Sequence, residues 1–124
     1  MEYKATIKNK TYGLNVKLRI SKDFSKEKYF EKNLEGDFSG ANAIVFKLPG
    51  KDLEVWFDQK NIKYPAFFAS VVAHECVHIV NKIYLDRFIQ LDRENDEPQA
   101  YLLSFFVQEI LAHVEKYKKR KTKK

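Results

Sequence analysis

Five consecutive residues carry the most specific chemistry of this chain: His74-Glu75-Cys76-Val77-His78, which reads H-E-x-x-H. On a helix, side chains four residues apart share a face, with Cβ atoms about 5–6 Å apart. Two imidazoles at that spacing can reach one zinc ion at about 2.0–2.1 Å. Glu75 is then placed to act on a water at the metal rather than to bind the metal. The motif predicts a zinc site with His74 and His78 as ligands and Glu75 as general base.

The motif lies in a strongly apolar segment, Tyr64 to Tyr84, which we expect to be a helix with Pro65 in its first turn. Apolar side chains surround the whole helix axis, a pattern typical of a buried helix. A carboxylate and two imidazoles are costly to bury unless a partner satisfies them, and a bound cation is such a partner. The alternative is a core helix in which the His-Glu-His cluster is only hydrogen-bonded.

A catalytic zinc site usually has three protein ligands and one open position. Residues 86–96 form a polar connection, and Glu97 then opens a second apolar helix for which Asp96 is suited as N-cap. The eighteen residues between His78 and Glu97 allow the first helix to end and the second to pack antiparallel beside it. The candidates for the third ligand are, in order of preference, Glu97, Asp96 and Asp92.

The string HECVH, eighteen residues and then Glu97 together resemble the gluzincin clan of zinc metallopeptidases. The string NDEPQAYLLSF is also similar to small phage-type zincin-like proteins, in which a D-E-x-x-A-Y segment follows the motif. The resemblance covers about residues 40–115. It implies that His74, His78 and Glu97 bind Zn²⁺, that Glu75 is the catalytic base, and that the substrate is a peptide or protein.

The sequence departs from the gluzincin pattern at Tyr101. Many gluzincins carry an aspartate at this place, which hydrogen-bonds a zinc histidine and tunes the metal. An oxyanion stabiliser in such enzymes is usually Tyr or His, so Tyr64, Tyr84 and Tyr101 are candidates for that role. His113 lies sixteen residues past Glu97, about 24 Å along one helix, and is expected away from the same metal.

The N-terminal half reads mainly as strands. Residues 2–8 alternate weakly and residues 14–20 cleanly between apolar and polar side chains, and the two can pair through a turn near Asn9 to Gly13. Residues 21–33 suit a short helix, and residues 43–48 and 53–57 suit a hairpin closed at Pro49-Gly50. The predicted fold class is α+β and zincin-like: a small N-terminal antiparallel or mixed sheet packs on the buried HExxH helix and a second C-terminal helix.

The second hairpin precedes the HExxH helix directly. In zincins, which the chain resembles, an edge strand beside this helix binds the substrate backbone by strand addition. An unpaired edge offers N–H and C=O groups to an extended peptide. Either strand of the hairpin suits this role, and Gly40-Ala41-Asn42-Ala43 is similar to gluzincin edge-strand motifs. The alternative is a hairpin that contributes only to the core.

The net charge of +6 comes from the C-terminal end. Residues 116–124 hold seven Lys and Arg residues, which leaves residues 1–115 at −1. We expect residues 1–115 to form one domain and residues 116–124 a basic, disordered tail. The tail can contact nucleic acid or another polyanion, but no recognition motif accompanies it.

Composition points to a cytoplasmic protein without a membrane span. The chain begins with charged residues and has no apolar signal region and no run of 18 uncharged apolar residues. The single cysteine, Cys76, suits a reducing compartment. It lies about 200° round the helix from both histidines, so we expect it to pack in the core rather than bind metal.

Three functional interpretations remain open. The leading one is a small zinc-dependent peptidase. The second is a catalytically weak or inactive zinc-binding zincin fold that acts as an interaction or effector module of phage or mobile-element origin. The third is a nucleic-acid-associated protein with an incidental motif. Zinc content separates the third from the others, and turnover that depends on Glu75 separates the first from the second.

Overall fold

The computed structural model describes residues 2–122 and contains a four-stranded mixed sheet and three α-helices. The elements are β1 (Tyr3–Asn9), β2 (Leu14–Ser21), α1 (Lys28–Asn33), β3 (Ala43–Lys47), β4 (Leu53–Asp58), α2 (Pro65–Asp86) and α3 (Glu97–Thr122). Short 3-10 helices occupy Phe24–Lys26 and Gln59–Asn61. The α+β class and the mixed sheet are confirmed.

The strands follow the order β1-β2-β4-β3. Both predicted hairpins are confirmed, since β1 pairs antiparallel with β2 and β3 pairs antiparallel with β4. The two hairpins join through a parallel pairing of β2 with β4, in which Val16 lies opposite Leu53. Of the two strands that were candidates for an open edge, β4 is therefore internal and β3 lies at the edge.

The sheet separates two apolar clusters. Its inner face packs against α2 and α3 and forms the main core. Its outer face carries Trp56, which packs in a second cluster with Phe24 of the first 3-10 helix and Phe30 of α1. This small cluster covers the β4–β3 side of the outer face. No helix among residues 2–122 is both long enough and apolar enough to cross a bilayer.

Helix α2 is amphipathic, which corrects the expectation of a helix buried all round. Its buried residues recur three and four apart and face the sheet and α3: Phe68, Val71, Val72, Glu75, Cys76, Ile79, Val80, Ile83 and Tyr84. The opposite side is open, and it exposes His74, His78 and nearly half of Phe67 (47%) and Val77 (44%). The reason is that the sheet and α3 cover α2 from one side, so its remaining apolar residues face solvent.

Helix α3 packs against α2 and continues to Thr122, seven residues into the segment that the sequence predicts as a disordered tail. The Tyr117 side chain is 4% exposed and its hydroxyl donates to Gln59 Oε1 at 2.7 Å. Lys121 Nζ donates to the same oxygen at 2.7 Å. The segment predicted as a tail is thus helical through Thr122, because Tyr117 gives it an apolar contact with the body. The last two residues lie outside the described part.

A half-buried histidine links the last helix to the first strand. The neutral ring of His113 can accept the Tyr3 hydroxyl at Nδ1, at 2.8 Å. Burial lowers the pKa of His113, the charge of Lys116 lowers it further, and Glu109 opposes both. Since the folded pKa lies below the unfolded value of about 6.5, the unfolded chain takes up the proton first as the pH falls.

The stability that His113 contributes is therefore present above the unfolded pKa and is lost as the pH falls through it towards the folded pKa. We expect Tm to fall between about pH 7.5 and 5.5, and the substitution His113→Asn to flatten that slope, because asparagine can accept the same hydrogen bond but does not titrate. Thermal melts of both chains across this range check the expectation. Equal slopes would show that His113 titrates alike in the folded and unfolded states.

Candidate metal centre

His74 and His78 lie one turn apart on the open side of α2. Their Nε2 atoms are 3.2 Å apart and their ring centroids 4.9 Å apart. Two nitrogens bound to one tetrahedral zinc ion at about 2.0–2.1 Å lie about 3.4 Å from each other. The imidazoles thus converge to nearly the separation that a shared ion requires. The same distance also suits an N–H···N hydrogen bond between the rings, so both predicted arrangements of the pair fit this geometry.

Glu75 differs from the two histidines because it belongs to the buried face of α2, and it is only 6% exposed. Burial raises the pKa of its carboxyl, and the adjacent His74 and His78 oppose that rise. Within residues 2–122 this carboxylate accepts no hydrogen bond. Its oxygens nevertheless reach solvent, since every fully enclosed side-chain polar atom there has a partner. The carboxylate is thus held at the boundary between core and solvent, without a protein donor.

The three side chains form one group that could hold a metal ion. The ligand atoms of His74, Glu75 and His78 all lie within 4.8 Å of one another. Two imidazole nitrogens and a carboxylate are a donor set that suits zinc and other divalent first-row metals. The group does not include Cys76, which is fully buried, and burial raises the pKa of its thiol to about 12. The expectation that Cys76 packs in the core is confirmed.

A cleft of about 490 Å³ opens beside this group, between the edge of the sheet and α2. One wall is Gly40-Ala41-Asn42-Ala43, which leads into β3, and the other is a stretch of α2 that includes His74 and Glu75. The segment singled out as similar to an edge-strand motif therefore lies against the HExxH helix. The residues that lead into the edge strand β3, together with its first residue Ala43, share one concave surface with His74 and Glu75.

Three hydrogen bonds fix the sheet-side wall of the cleft. The Asp58 N–H donates to the Asn42 carbonyl at 3.2 Å, and Asn61 Nδ2 donates to Asn42 Oδ1 at 2.8 Å. Lys60 Nζ donates to the Ala41 carbonyl at 3.2 Å. The donors are the last residue of β4 and two residues of the short connection from β4 to α2, so the wall is fixed by the segment that leads into the helix.

Glu97 is exposed and lies outside the group of three ligand atoms. It begins α3, beside the end of α2 at Asp86. His78 precedes Asp86 by eight residues, about 12 Å along the helix axis. Asp96 and Asp92 lie in the exposed connection before α3 and are likewise outside the group. Glu97 as third ligand therefore stays a prediction.

None of the three candidate tyrosines lines the cleft. Tyr64 is the N-cap residue of α2, about 15 Å along the axis from His74. Tyr84 is buried and its ring lies 6.1 Å from that of Tyr12. Tyr101 lines a different cleft, beside the β1–β2 turn. His113, bonded to Tyr3, is also outside the metal group, as expected.

Sequence reasoning did not single out the helix wall of the cleft, which includes Phe67, Ser70 and Val71. These residues precede His74 by seven, four and three positions, so helical periodicity places them on the same side of α2. Their helical spacing from His74 was not sufficient to identify them, because the segment is apolar on every side. Periodicity alone did not distinguish the exposed face of the helix from the buried one.

The chain was compared with known proteins in three ways. No protein-family model, no curated protein and no solved structure matches it. The functional conclusion therefore depends on the site itself.

Proposed function

We propose that this protein is a zinc-dependent peptidase that cleaves an extended peptide bound in the cleft between β3 and α2. The observation that carries the proposal is the convergence of His74 and His78, with Nε2 atoms 3.2 Å apart, next to a buried carboxylate that faces the cleft. A zinc ion held there would polarise the scissile carbonyl and lower the pKa of a water.

Each residue has a separate role in this proposal. His74 and His78 hold the ion, and Glu97 remains the predicted third ligand. Glu75 removes the proton from the attacking water and passes it to the leaving amine.

The open edge of β3 supports a peptide as the substrate. An edge strand offers backbone N–H and C=O groups that an extended chain can pair with. The Gly40–Ala43 wall lines the cleft together with His74 and Glu75 and leads into β3 at Ala43. A peptide added to β3 would therefore run beside the candidate metal ligands. Phe67 and Val71 on the opposite wall would contact its apolar side chains.

The third ligand is tested by a matched series of alanine variants. We expect Glu97→Ala to weaken zinc binding by more than about 100-fold, since loss of a mere hydrogen-bond partner of a ligand already costs about 10–100-fold. Asp96→Ala and Asp92→Ala should each change it less than Glu97→Ala does. Titration calorimetry with zinc measures the zinc affinity of the three variants and ranks them. If Asp96→Ala alone released the metal, Asp96 would replace Glu97 in the site.

The activity itself is tested with a mixed peptide library, because the preferred sequence is unknown. Chelator-treated protein should be inactive, and addition of about one equivalent of zinc should restore cleavage. Mass spectrometry of the products identifies the bonds that are cut. The absence of zinc-dependent cleavage across the library would contradict the peptidase proposal.

A metal-binding interaction module is the second candidate. The observation that favours it is the composition of the described group, which contains two histidines and Glu75 but not Glu97. The half-exposed Phe67 and Val77 beside the histidines give this surface apolar contacts for a protein partner. Stoichiometric zinc binding without turnover in the library assay would favour the module over the peptidase.

A further inference from the structure

The outer face of the sheet carries a cluster of positive charges far from α2. Lys4, Lys17, Arg19 and Lys51 surround a hollow of about 240 Å³ on the part of this face where β1, β2 and β4 lie side by side. None of the four takes part in an ion pair within 4.0 Å among residues 2–122. We call these four residues the basic sheet face.

Two of these cations stand directly opposite each other. Lys4 pairs with Arg19 in the antiparallel register of β1 and β2. Like charges opposite each other on one face of a sheet destabilise the pairing. The arrangement therefore costs stability in the free protein, and a bound anion between the two side chains would remove that cost.

One carboxylate lies within the cluster, and each of its oxygens already accepts a hydrogen bond. Glu54 is 6% exposed, its Oε2 accepts the Tyr29 hydroxyl at 3.0 Å, and its Oε1 accepts Trp56 Nε1 at 3.1 Å. Both donors are neutral, so the carboxylate is held by the aromatic cluster rather than by a cation. One negative charge against four positive ones leaves the basic sheet face with a net charge of +3.

The shape and extent of the cluster favour a polymer over a single ion. Adjacent strands lie about 4.8 Å apart, so the cations distributed from β1 to the start of β4 span about 10 Å. One small anion cannot contact cations spread over this distance, whereas successive phosphates of one chain can.

The chemistry of the surface also discriminates between polymers. Among residues 2–122, the exposed large apolar side chains lie at or on α2, in the connection to α3, or on α3. The described part of the basic sheet face therefore has none to anchor in a lipid bilayer. Tyr29 lines the same hollow and supplies an aromatic ring. Cations that track a backbone, together with an aromatic ring, are the features of sequence-independent binding to single-stranded nucleic acid.

We propose that the basic sheet face binds the phosphate backbone of single-stranded nucleic acid, independently of the metal centre. Arg19 and the three lysines contact phosphate oxygens and carry no sequence information. The binding is electrostatic, so its affinity falls with salt concentration in proportion to the number of phosphates contacted.

The test is fluorescence anisotropy with a fluorescein-labelled oligothymidylate of about 20 nucleotides, titrated between about 50 and 200 mM salt. The substitution pair Lys4→Gln with Arg19→Gln should weaken binding by at least about tenfold at the lowest salt. It should also reduce the slope of log K against log salt by about 1.4, since each single-strand phosphate contact contributes about 0.7. The fold should persist, with Tm unchanged or raised, because the substitutions remove a repulsive pair.

A control removes the same net charge elsewhere. Lys63→Gln with Lys82→Gln changes two exposed lysines, one just before α2 and one on α2, and should alter affinity by less than about twofold. If both double variants lost the same affinity for the oligonucleotide, net charge alone would explain the binding, and the proposal would be overturned. The absence of binding by the unsubstituted protein at the lowest salt would do the same.

Three further arms exclude other ligands and another site. The pair Lys118→Gln with Lys121→Gln on α3 should weaken binding less than Lys4→Gln with Arg19→Gln. The opposite ranking would move the site to the end of α3 and overturn the proposal. Inorganic phosphate and polyglutamate should compete poorly with the oligonucleotide. Tighter binding of either competitor would show a small-anion site or a site for acidic proteins instead.

Discussion

Replacement of Glu75 by glutamine is expected to lower zinc-dependent peptide hydrolysis by about 10²- to 10⁴-fold, which is the usual contribution of a positioned general base. Glutamine keeps the size of the side chain and its ability to accept a hydrogen bond, but it cannot take a proton from water. The residue lies at the rim of the core and contacts the cleft, so the substitution leaves the geometry of His74 and His78 in place. Initial rates on the best peptide from the library measure the effect.

Zinc affinity in the same variant gives the internal check. We expect Glu75→Gln to bind zinc nearly as tightly as the parent, since the proposal assigns the metal to the histidines. Glu31→Gln on α1 removes a carboxylate from an exposed position away from the cleft and should leave both rate and affinity unchanged. A Glu75→Gln variant that cleaves as fast as the parent would contradict the role of base. A large loss of zinc would make Glu75 a ligand.

The second large effect concerns the histidines. His74→Ala and His78→Ala should each lower zinc affinity by more than about 100-fold, because each removes one protein ligand outright. Zinc at about 100 times its dissociation constant should stabilise the parent by about 2.7 kcal/mol, and this stabilisation should vanish in both variants. Thermal melts with and without zinc measure the difference.

The exposure of both histidines sharpens this prediction. Neither side chain is part of the core, so the metal-free variants should melt close to the metal-free parent. Asn81→Ala, at an exposed position three residues past His78, serves as the matched control and should keep the zinc-dependent stabilisation. An equal zinc response in His74→Ala and the parent would show that the ion binds elsewhere or not at all.

The local features of the fold could be predicted from the sequence. Alternation of apolar and polar residues identified β1 and β2, and short turns identified both hairpins, because each hairpin is closed by residues that are neighbours in the chain. The parallel pairing of β2 with β4 could not be predicted in this way, since it joins strands more than thirty residues apart. That pairing is what makes β3 an edge strand and sets it beside α2.

The site could be predicted in part for a similar reason. The i, i+4 spacing alone brings His74 and His78 together, because one helical turn determines their distance. Whether this turn of α2 is exposed depends on which side of the helix the sheet covers. That side could not be predicted, because apolar residues occur on every side of α2. The end of α3 was also misjudged, because the dense lysines outweighed the single apolar contact that Tyr117 makes with the body.

The most direct test of the metal centre is anomalous diffraction at the zinc absorption edge from crystals of the full chain grown with zinc. We predict one strong peak at about 2.0–2.1 Å from both His74 Nε2 and His78 Nε2, with the Glu75 carboxylate beyond direct coordination distance. The same map identifies the third ligand and decides between Glu97 and its alternatives. A map with no peak between the two imidazoles, and the rings joined only by a hydrogen bond, would contradict the zinc site and the function proposed from it.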